Sequence, residues 1–60
     1  MPLSGKEMLK EYLSYGWIKL RQQGSHVIVC KGELRETIPM HKELKKGLEK
    51  ALLKRLRKGD

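Results

Sequence analysis

A chain of 60 residues is long enough for one small domain, here expected to span residues 1–60, and so short a chain buries only about 60% of its unfolded surface. A large enclosed ligand cavity is therefore excluded, and stability is expected to depend on a partner or a dimer. The net charge is +7, of which residues 42–60 carry +5. This positive charge favours binding to a polyanion, above all a nucleic acid. The alternative is a lysine-rich helix face that is only solvated.

Cysteine content and hydropathy indicate the cellular compartment in which the protein is expected. Cys30 is the only cysteine, so the chain can form neither an intramolecular disulfide nor a thiolate cluster for zinc. No apolar run approaches the ~20 residues of a membrane span, and the N-terminus lacks the apolar region of a signal peptide. The sequence predicts a soluble cytoplasmic protein that has no membrane partner.

The first predicted element is a helix from Gly5 to Tyr15. Ser4 and Glu7 have the spacing of a capping box, in which each side chain binds the backbone N–H of the other residue. Apolar residues then recur at helical spacing, and Gly16 suits the left-handed position that ends a helix.

Three strands joined by two tight turns are predicted next. The first strand follows Trp17, where apolar and basic residues alternate. Gly24 and Ser25 are typical of a two-residue type II′ hairpin turn, and "HVIVCK" is the return strand. A second turn at "KGE" leads to the strand "LRETIPM".

A basic connection, "HKELKK", leads to a second helix that begins near Gly47. One face of this helix collects its apolar residues, which are Leu48, Ala51, Leu52 and Leu56. The predicted order is α-β-β-β-α, an α+β fold with a three-stranded antiparallel sheet.

The register of the first hairpin decides where His26 points. With Gly24 and Ser25 in the turn, Gln23 pairs with His26 and Leu20 pairs with Val29. Strand alternation then gives the first hairpin four core-facing residues, namely Ile18, Leu20, Val27 and Val29. The open face receives His26 with the remaining side chains, which are Lys19, Arg21, Gln23, Trp17, Ile28 and Cys30.

The second turn extends this assignment to the third strand. With Gly32 and Glu33 as its central residues, Pro39 lies across from His26. Ile38 then joins the core face, and Arg35 and Thr37 join the open face. A bulge in any strand would shift it by one residue and exchange its faces.

His26 has two interpretations. It is a polar residue that follows a turn, which is the commoner case, or it is a catalytic imidazole. The second is favoured by its neighbours, because Gly24 lets a ligand backbone approach closely and Ser25 adds a hydroxyl group. Lys19 and Arg21 are candidates for binding phosphate.

The other reactive groups are less informative. His41 is interpreted as a loop residue in a basic connection, and Cys30 as a small apolar strand residue. Two histidines without a nearby carboxylate pair make a poor metal site. The sequence also lacks a zinc-protease motif, a P-loop and a dinucleotide-binding fingerprint.

Four segments of this chain resemble the HicA toxin family, the small ribonuclease components of toxin–antitoxin pairs. They are the helix ending in "YGW", the strand "IKLRQQGSH", the strand ending in "TIPMH", and "KELKKGLEKALLKRL". Together they cover essentially the whole chain, and "RQQGSH" and "IPMH" are the most specific. One departure is Leu48 after Gly47, where members often have a small hydroxyl residue.

The resemblance implies a fold and an activity. The fold is that of a double-stranded-RNA-binding domain, with both helices on one face of the sheet. The activity is cleavage of messenger RNA, with His26 of the Gly24–Ser25–His26 motif as the catalytic residue. A HicB-type antitoxin would bind the toxin and block this surface. The assembly is left open between a homodimer and a toxin–antitoxin hetero-oligomer.

A mechanism follows as a hypothesis. The His26 imidazole removes the proton from a ribose 2′-hydroxyl, which attacks the adjacent phosphorus. Lys19 and Arg21 stabilise the charge on the phosphoryl oxygens, and three further cations hold flanking phosphates: Lys42, Lys45 and Lys46. The scheme needs neither a metal nor another cofactor. The acid for the leaving 5′-oxygen is left between His41 and a lysine.

Two other functions remain open at this point. In the first, the same fold binds RNA without cleaving it, and His26 only contacts a phosphate or a base. In the second, the basic second helix of an adaptor protein binds an acidic partner. RNA binding that is weak and is lost at modest salt would favour the adaptor.

Overall fold

The computed structural model describes residues 2–57. Its elements follow the predicted order, and they are α1 (Gly5–Ser14), β1 (Ile18–Gln23), β2 (His26–Lys31), β3 (Leu34–Pro39) and α2 (Lys46–Arg55). The strands form one antiparallel sheet in the order β1-β2-β3. Both helices contribute to a core that covers a single face of this sheet. The predicted α+β architecture, with both helices on one face, is confirmed.

Helix α1 begins and ends with the predicted signals. The Ser4 hydroxyl oxygen accepts the Glu7 N–H at 3.1 Å, and the Glu7 carboxylate accepts the Ser4 N–H at 2.9 Å. After the helix, Gly16 has a φ of +91°. The Trp17 N–H donates to the Tyr12 carbonyl at 3.1 Å, which is the long-range bond of a Schellman motif. This bond directs the chain from the end of α1 back towards the core.

Both predicted hairpin turns have two central residues. Gln23 pairs with His26 across the first turn, where Gly24 has a φ of +57°. No non-glycine residue among residues 2–57 has a positive φ. Type I′ needs a positive φ at both central residues and type II′ at the first alone, so these angles exclude type I′ and agree with the predicted type II′ turn. Gly32, with a φ of +61°, has the same place in the turn between β2 and β3.

The pairing of β2 with β3 is also the predicted one. Pro39 lies opposite His26. Ile38 is buried on the core face, and Arg35 and Thr37 lie on the open face with their β2 partners.

Strand β1 departs from the predicted register at a bulge. Before Arg21 the strand holds one extra residue, so that Lys19, and not Leu20, pairs with Val29. Residues that lie directly opposite in an antiparallel pair share a face of the sheet. Lys19 therefore lies on the helix-bearing side. The prediction that it stands beside His26 on the open face is wrong.

The same bulge corrects three further assignments. Ile18 and Leu20 were expected in the core, but their side chains are 60% and 49% exposed. Trp17 was expected on the open face, but it is buried in the core. One inserted residue exchanges the faces of everything before it in the strand. Trp17 instead packs edge-on against Tyr12, with ring centroids 4.9 Å apart.

The core contains aliphatic residues and two aromatic rings, and its buried members are Met8, Tyr12, Trp17, Val27, Val29, Ile38, Leu44, Leu52 and Leu56. The polar groups of the two rings bind helix α2. The Tyr12 hydroxyl donates to the Leu52 carbonyl at 2.6 Å, and the Trp17 indole N–H donates to the Leu56 carbonyl at 3.0 Å. Carbonyls in the last turn of a helix lack helical partners, so Trp17 satisfies one of them.

The buried Tyr12 hydroxyl is expected to lower the stability of the protein at alkaline pH. Burial raises the pKa of Tyr12 to about 12, whereas an unfolded tyrosine has a pKa of about 10. Between these pH values the unfolded chain loses this proton first, so the free energy of unfolding falls as the pH rises.

We expect Tyr12→Phe to remove that part of the pH dependence, on the order of 1–3 kcal/mol. At neutral pH the same variant should cost about 1 kcal/mol through the lost hydrogen bond. Urea unfolding of both proteins from pH 9 to pH 12 measures the difference. Parallel pH profiles of wild type and variant would contradict the assignment.

Candidate functional site

His26 is the first residue of β2 and directly follows the hairpin turn. Two hydrogen bonds hold this turn from its two sides. The Gln22 side-chain amide donates to the Gly24 carbonyl at 3.0 Å, and the Met40 N–H donates to the Ser25 carbonyl at 2.6 Å. The backbone that carries His26 is therefore fixed both by β1 and by the residue that follows β3.

The His26 side chain is exposed. It makes no hydrogen bond or ion pair within residues 2–57, so both ring nitrogens are free for a ligand. Its neighbours across the sheet are Gln23 on β1 and Pro39 on β3. Arg21, two residues before Gln23, is exposed on the same face. The site thus combines a free imidazole with one nearby guanidinium group.

The structure separates Lys19 from this pair. Its ammonium group donates to the Gln22 side-chain oxygen at 3.3 Å, and both residues belong to the helix-bearing side of β1. Arg21 is the cation of β1 that remains on the face of His26.

The three lysines near the second helix are exposed, as a phosphate-binding role requires, but they do not form one cluster. Lys42 lines a groove beside His41. Lys46 begins α2 and lines a second cavity of about 300 Å³, whose other lining residues are Pro2, Leu44 and Glu49. Lys45 is the N-cap residue of α2. Lys42 and Lys46 therefore line two different hollows of the surface.

The groove beside His41 brings together residues that are far apart in sequence. It measures about 260 Å³, and its lining residues are Ser4, Lys6, Met40, His41 and Lys42. The Gly5 N–H donates to the His41 carbonyl at 2.9 Å and joins its two sides. Sequence reasoning missed Lys6, because no local pattern relates the first turn of α1 to the residues after β3.

Residues 2–57 contain neither a metal site nor a membrane-spanning helix. No group of three histidine, cysteine, aspartate or glutamate side chains there is placed to hold a metal ion. No helix in this range is long and apolar enough to cross a membrane. Cys30 is buried with a free thiol, in keeping with its interpretation as a small strand residue.

A comparison with protein families matches residues 5–57 to the model described as the HicA toxin of bacterial toxin–antitoxin systems. The chain belongs to the HicA toxin family. It is therefore the toxin component of a toxin–antitoxin system, and the family implies a HicB-type antitoxin as its partner. No curated protein and no solved structure matched the chain. The double-stranded-RNA-binding-like layout fits this HicA assignment.

Proposed function

We propose that this HicA toxin is a metal-independent endoribonuclease that cleaves messenger RNA with His26 as its general base. The observation that carries the proposal is the His26 imidazole, which is exposed and without a partner in residues 2–57. A histidine whose only role was to stabilise the turn would be expected to form a hydrogen bond with the turn backbone. Here Gln22 and Met40 form those hydrogen bonds instead.

The reaction is an internal transfer within the RNA. The neutral His26 imidazole accepts the proton of a ribose 2′-hydroxyl as that oxygen attacks the adjacent phosphorus. The new bond closes a 2′,3′-cyclic phosphate, and the bond to the 5′-oxygen breaks. That oxygen leaves with a proton taken from a general acid or from water. DNA lacks the attacking hydroxyl and is not a substrate.

The neighbours of His26 support this chemistry. Arg21 stabilises the negative charge on the phosphoryl oxygens, since a guanidinium group offers several N–H donors to phosphate. An added Cβ at Gly24 would meet no atom within 4 Å, so the turn leaves open space for an RNA strand. Ser25, the next residue of the turn, is also exposed.

The remaining partners follow from the same surface. Lys42, Lys45 and Lys46 hold phosphates that flank the cleaved bond, which makes binding dependent on salt. The HicB-type antitoxin inhibits the toxin by covering the open face that carries His26.

A substrate with one altered sugar tests the reaction type. The preferred bond is first mapped in a mixed-sequence single-stranded RNA, and the ribose on its 5′ side is then replaced by 2′-deoxyribose. We expect cleavage at that bond to stop, while secondary sites are still cut and yield 2′,3′-cyclic phosphate ends. Continued cleavage at the deoxy position would overturn the 2′-hydroxyl mechanism.

A further inference from the structure

We infer that the groove lined by Ser4, Lys6, Met40, His41 and Lys42, called here the His41 groove, binds a backbone phosphate of the RNA next to the cleaved bond. This inference rests on the proposed function, in which Lys42 holds a flanking phosphate, and it adds Lys6 and His41 to that phosphate position. Its volume of about 260 Å³ is below the usual range of small-molecule pockets. The groove therefore fits a phosphate with part of its sugar better than a whole cofactor.

Charge and hydrogen-bond donors make the His41 groove suitable for an anion. The side chains of Lys6, His41 and Lys42 form no hydrogen bond or ion pair within residues 2–57. The Ser4 hydroxyl accepts the Glu7 N–H and also bonds to the Glu7 carboxylate, so the free side-chain donors of the groove are those of Lys6, His41 and Lys42. The Lys6 N–H lies in the first turn of α1, where backbone N–H groups lack helical acceptors and attract anions.

The nearby carboxylates do not cancel this charge. Glu7 receives the backbone N–H and the hydroxyl dipole of Ser4, and these bonds lower the pKa of Glu7. It remains ionised, but it is held at the helix start as part of the capping box. Glu43 is exposed in the connection after β3 and does not line the groove. Within residues 2–57, no carboxylate lines the groove beside Lys6 and Lys42.

The position of the His41 groove relates it to His26. Pro39 pairs with His26, and the Met40 N–H continues the ladder to the Ser25 carbonyl. His41 is two residues beyond Pro39, a distance of roughly 7 Å along an extended chain. Since α1 packs against this end of β3 from the helix-bearing face, an RNA strand that crosses His26 reaches the groove by passing around the end of the sheet.

The test uses an RNA strand that cannot be cleaved, so that its outcome does not depend on catalysis. A single-stranded oligonucleotide with 2′-O-methyl sugars is titrated into the full chain and followed by NMR. We expect the backbone signals of Lys6, His41 and Lys42 to shift. Inorganic phosphate alone should shift the same signals at higher concentration, because it supplies the same group without the rest of the strand.

Matched double variants test the charges. Lys6→Gln with Lys42→Gln should weaken binding of the oligonucleotide roughly tenfold and lower the slope of log affinity against log salt by roughly 0.7, the value for one lost phosphate contact on a single strand. Lys10→Gln with Lys50→Gln removes the same charge from exposed positions outside the groove and should have a much smaller effect. Circular dichroism confirms that both variants are folded.

The outcomes separate this inference from the proposed function. Equal losses of oligonucleotide affinity in the two double variants, or no shifts of the NMR signals from the His41 groove, would overturn the groove as a phosphate site. This holds even if the protein is an active ribonuclease. The expected losses would support the groove even if the wild type cleaved no RNA. In an active enzyme, the groove variant should raise KM and leave kcat nearly unchanged.

Discussion

Replacing Gly5 with alanine is expected to destabilise the protein by about 3 kcal/mol or more, a large part of the stability of so small a domain. A Cβ at this position would lie against the Pro39 carbonyl oxygen and 2.7 Å from the Met40 Cα. Both are backbone atoms and cannot move aside as a flexible side chain can. Relief of the clash would pull apart the Gly5 N–H and the His41 carbonyl, which are 2.9 Å apart.

Helix propensity predicts the opposite sign, which makes the experiment decisive. Alanine favours a helix by about 0.5–1 kcal/mol over glycine. Gly47 provides the matched control, because it lies in α2 and an added Cβ there would meet nothing within 4 Å. Gly47→Ala should therefore stabilise the protein by that amount. Urea unfolding measures the free energy of unfolding of both variants. A Gly5→Ala variant within about 0.5 kcal/mol of wild type would contradict the close approach of Gly5 to the backbone of Pro39 and Met40.

The parts of the fold that local chemistry specifies were predictable from sequence. The capping box needs only Ser4 and Glu7 at the correct spacing, and each turn glycine marks a backbone position with positive φ. The pairing of His26 with Gln23 and with Pro39 followed directly from the lengths of the two turns.

The bulge in β1 could not be predicted in this way. It inserts Leu20 into the strand without a glycine or a proline to mark it, and the alternation of Ile18 with Lys19 matched a regular strand equally well. The burial of Trp17 decides the register instead. Its ring packs against Tyr12, and its indole N–H donates to the Leu56 carbonyl at the end of α2. Because the bond to α2 joins residues far apart in the chain, no short window of sequence predicts it.

The candidate site was likewise only partly predictable. His26 and Arg21 share a face as expected, while the bulge removes Lys19 from it. The His41 groove depends on α1 packing against the end of β3, where Gly5 allows two backbones to approach closely. A glycine at the first position of a helix has no distinctive local pattern, so neither this packing nor the place of Lys6 in the groove was visible in the sequence.

His26→Ala is expected to lower the rate of RNA cleavage by at least about 100-fold, since a positioned general base contributes roughly 10²–10⁴. RNA affinity should change little, because the proposed function assigns phosphate binding to other residues. Stability should stay within about 0.5 kcal/mol, since His26 is exposed and has no partner in residues 2–57. Loss of cleavage with RNA binding intact would therefore be an effect on the chemical step.

A control on the same surface separates this effect from a general disturbance of the sheet. Thr37 is exposed on β3 on the same open face as His26. Thr37→Val preserves a β-branched residue and should retain nearly full cleavage. A comparable loss in both variants would assign the effect to the sheet surface and not to the imidazole.

Cleavage of a mixed-sequence single-stranded RNA in EDTA, by wild type and His26→Ala side by side, tests the central claim most directly. We expect the wild type to cut the RNA and the variant to bind it uncut. If neither protein cleaves while both bind, the ribonuclease proposal is contradicted and a non-catalytic RNA-binding module replaces it. If both cleave equally, the protein is a nuclease whose general base is not His26.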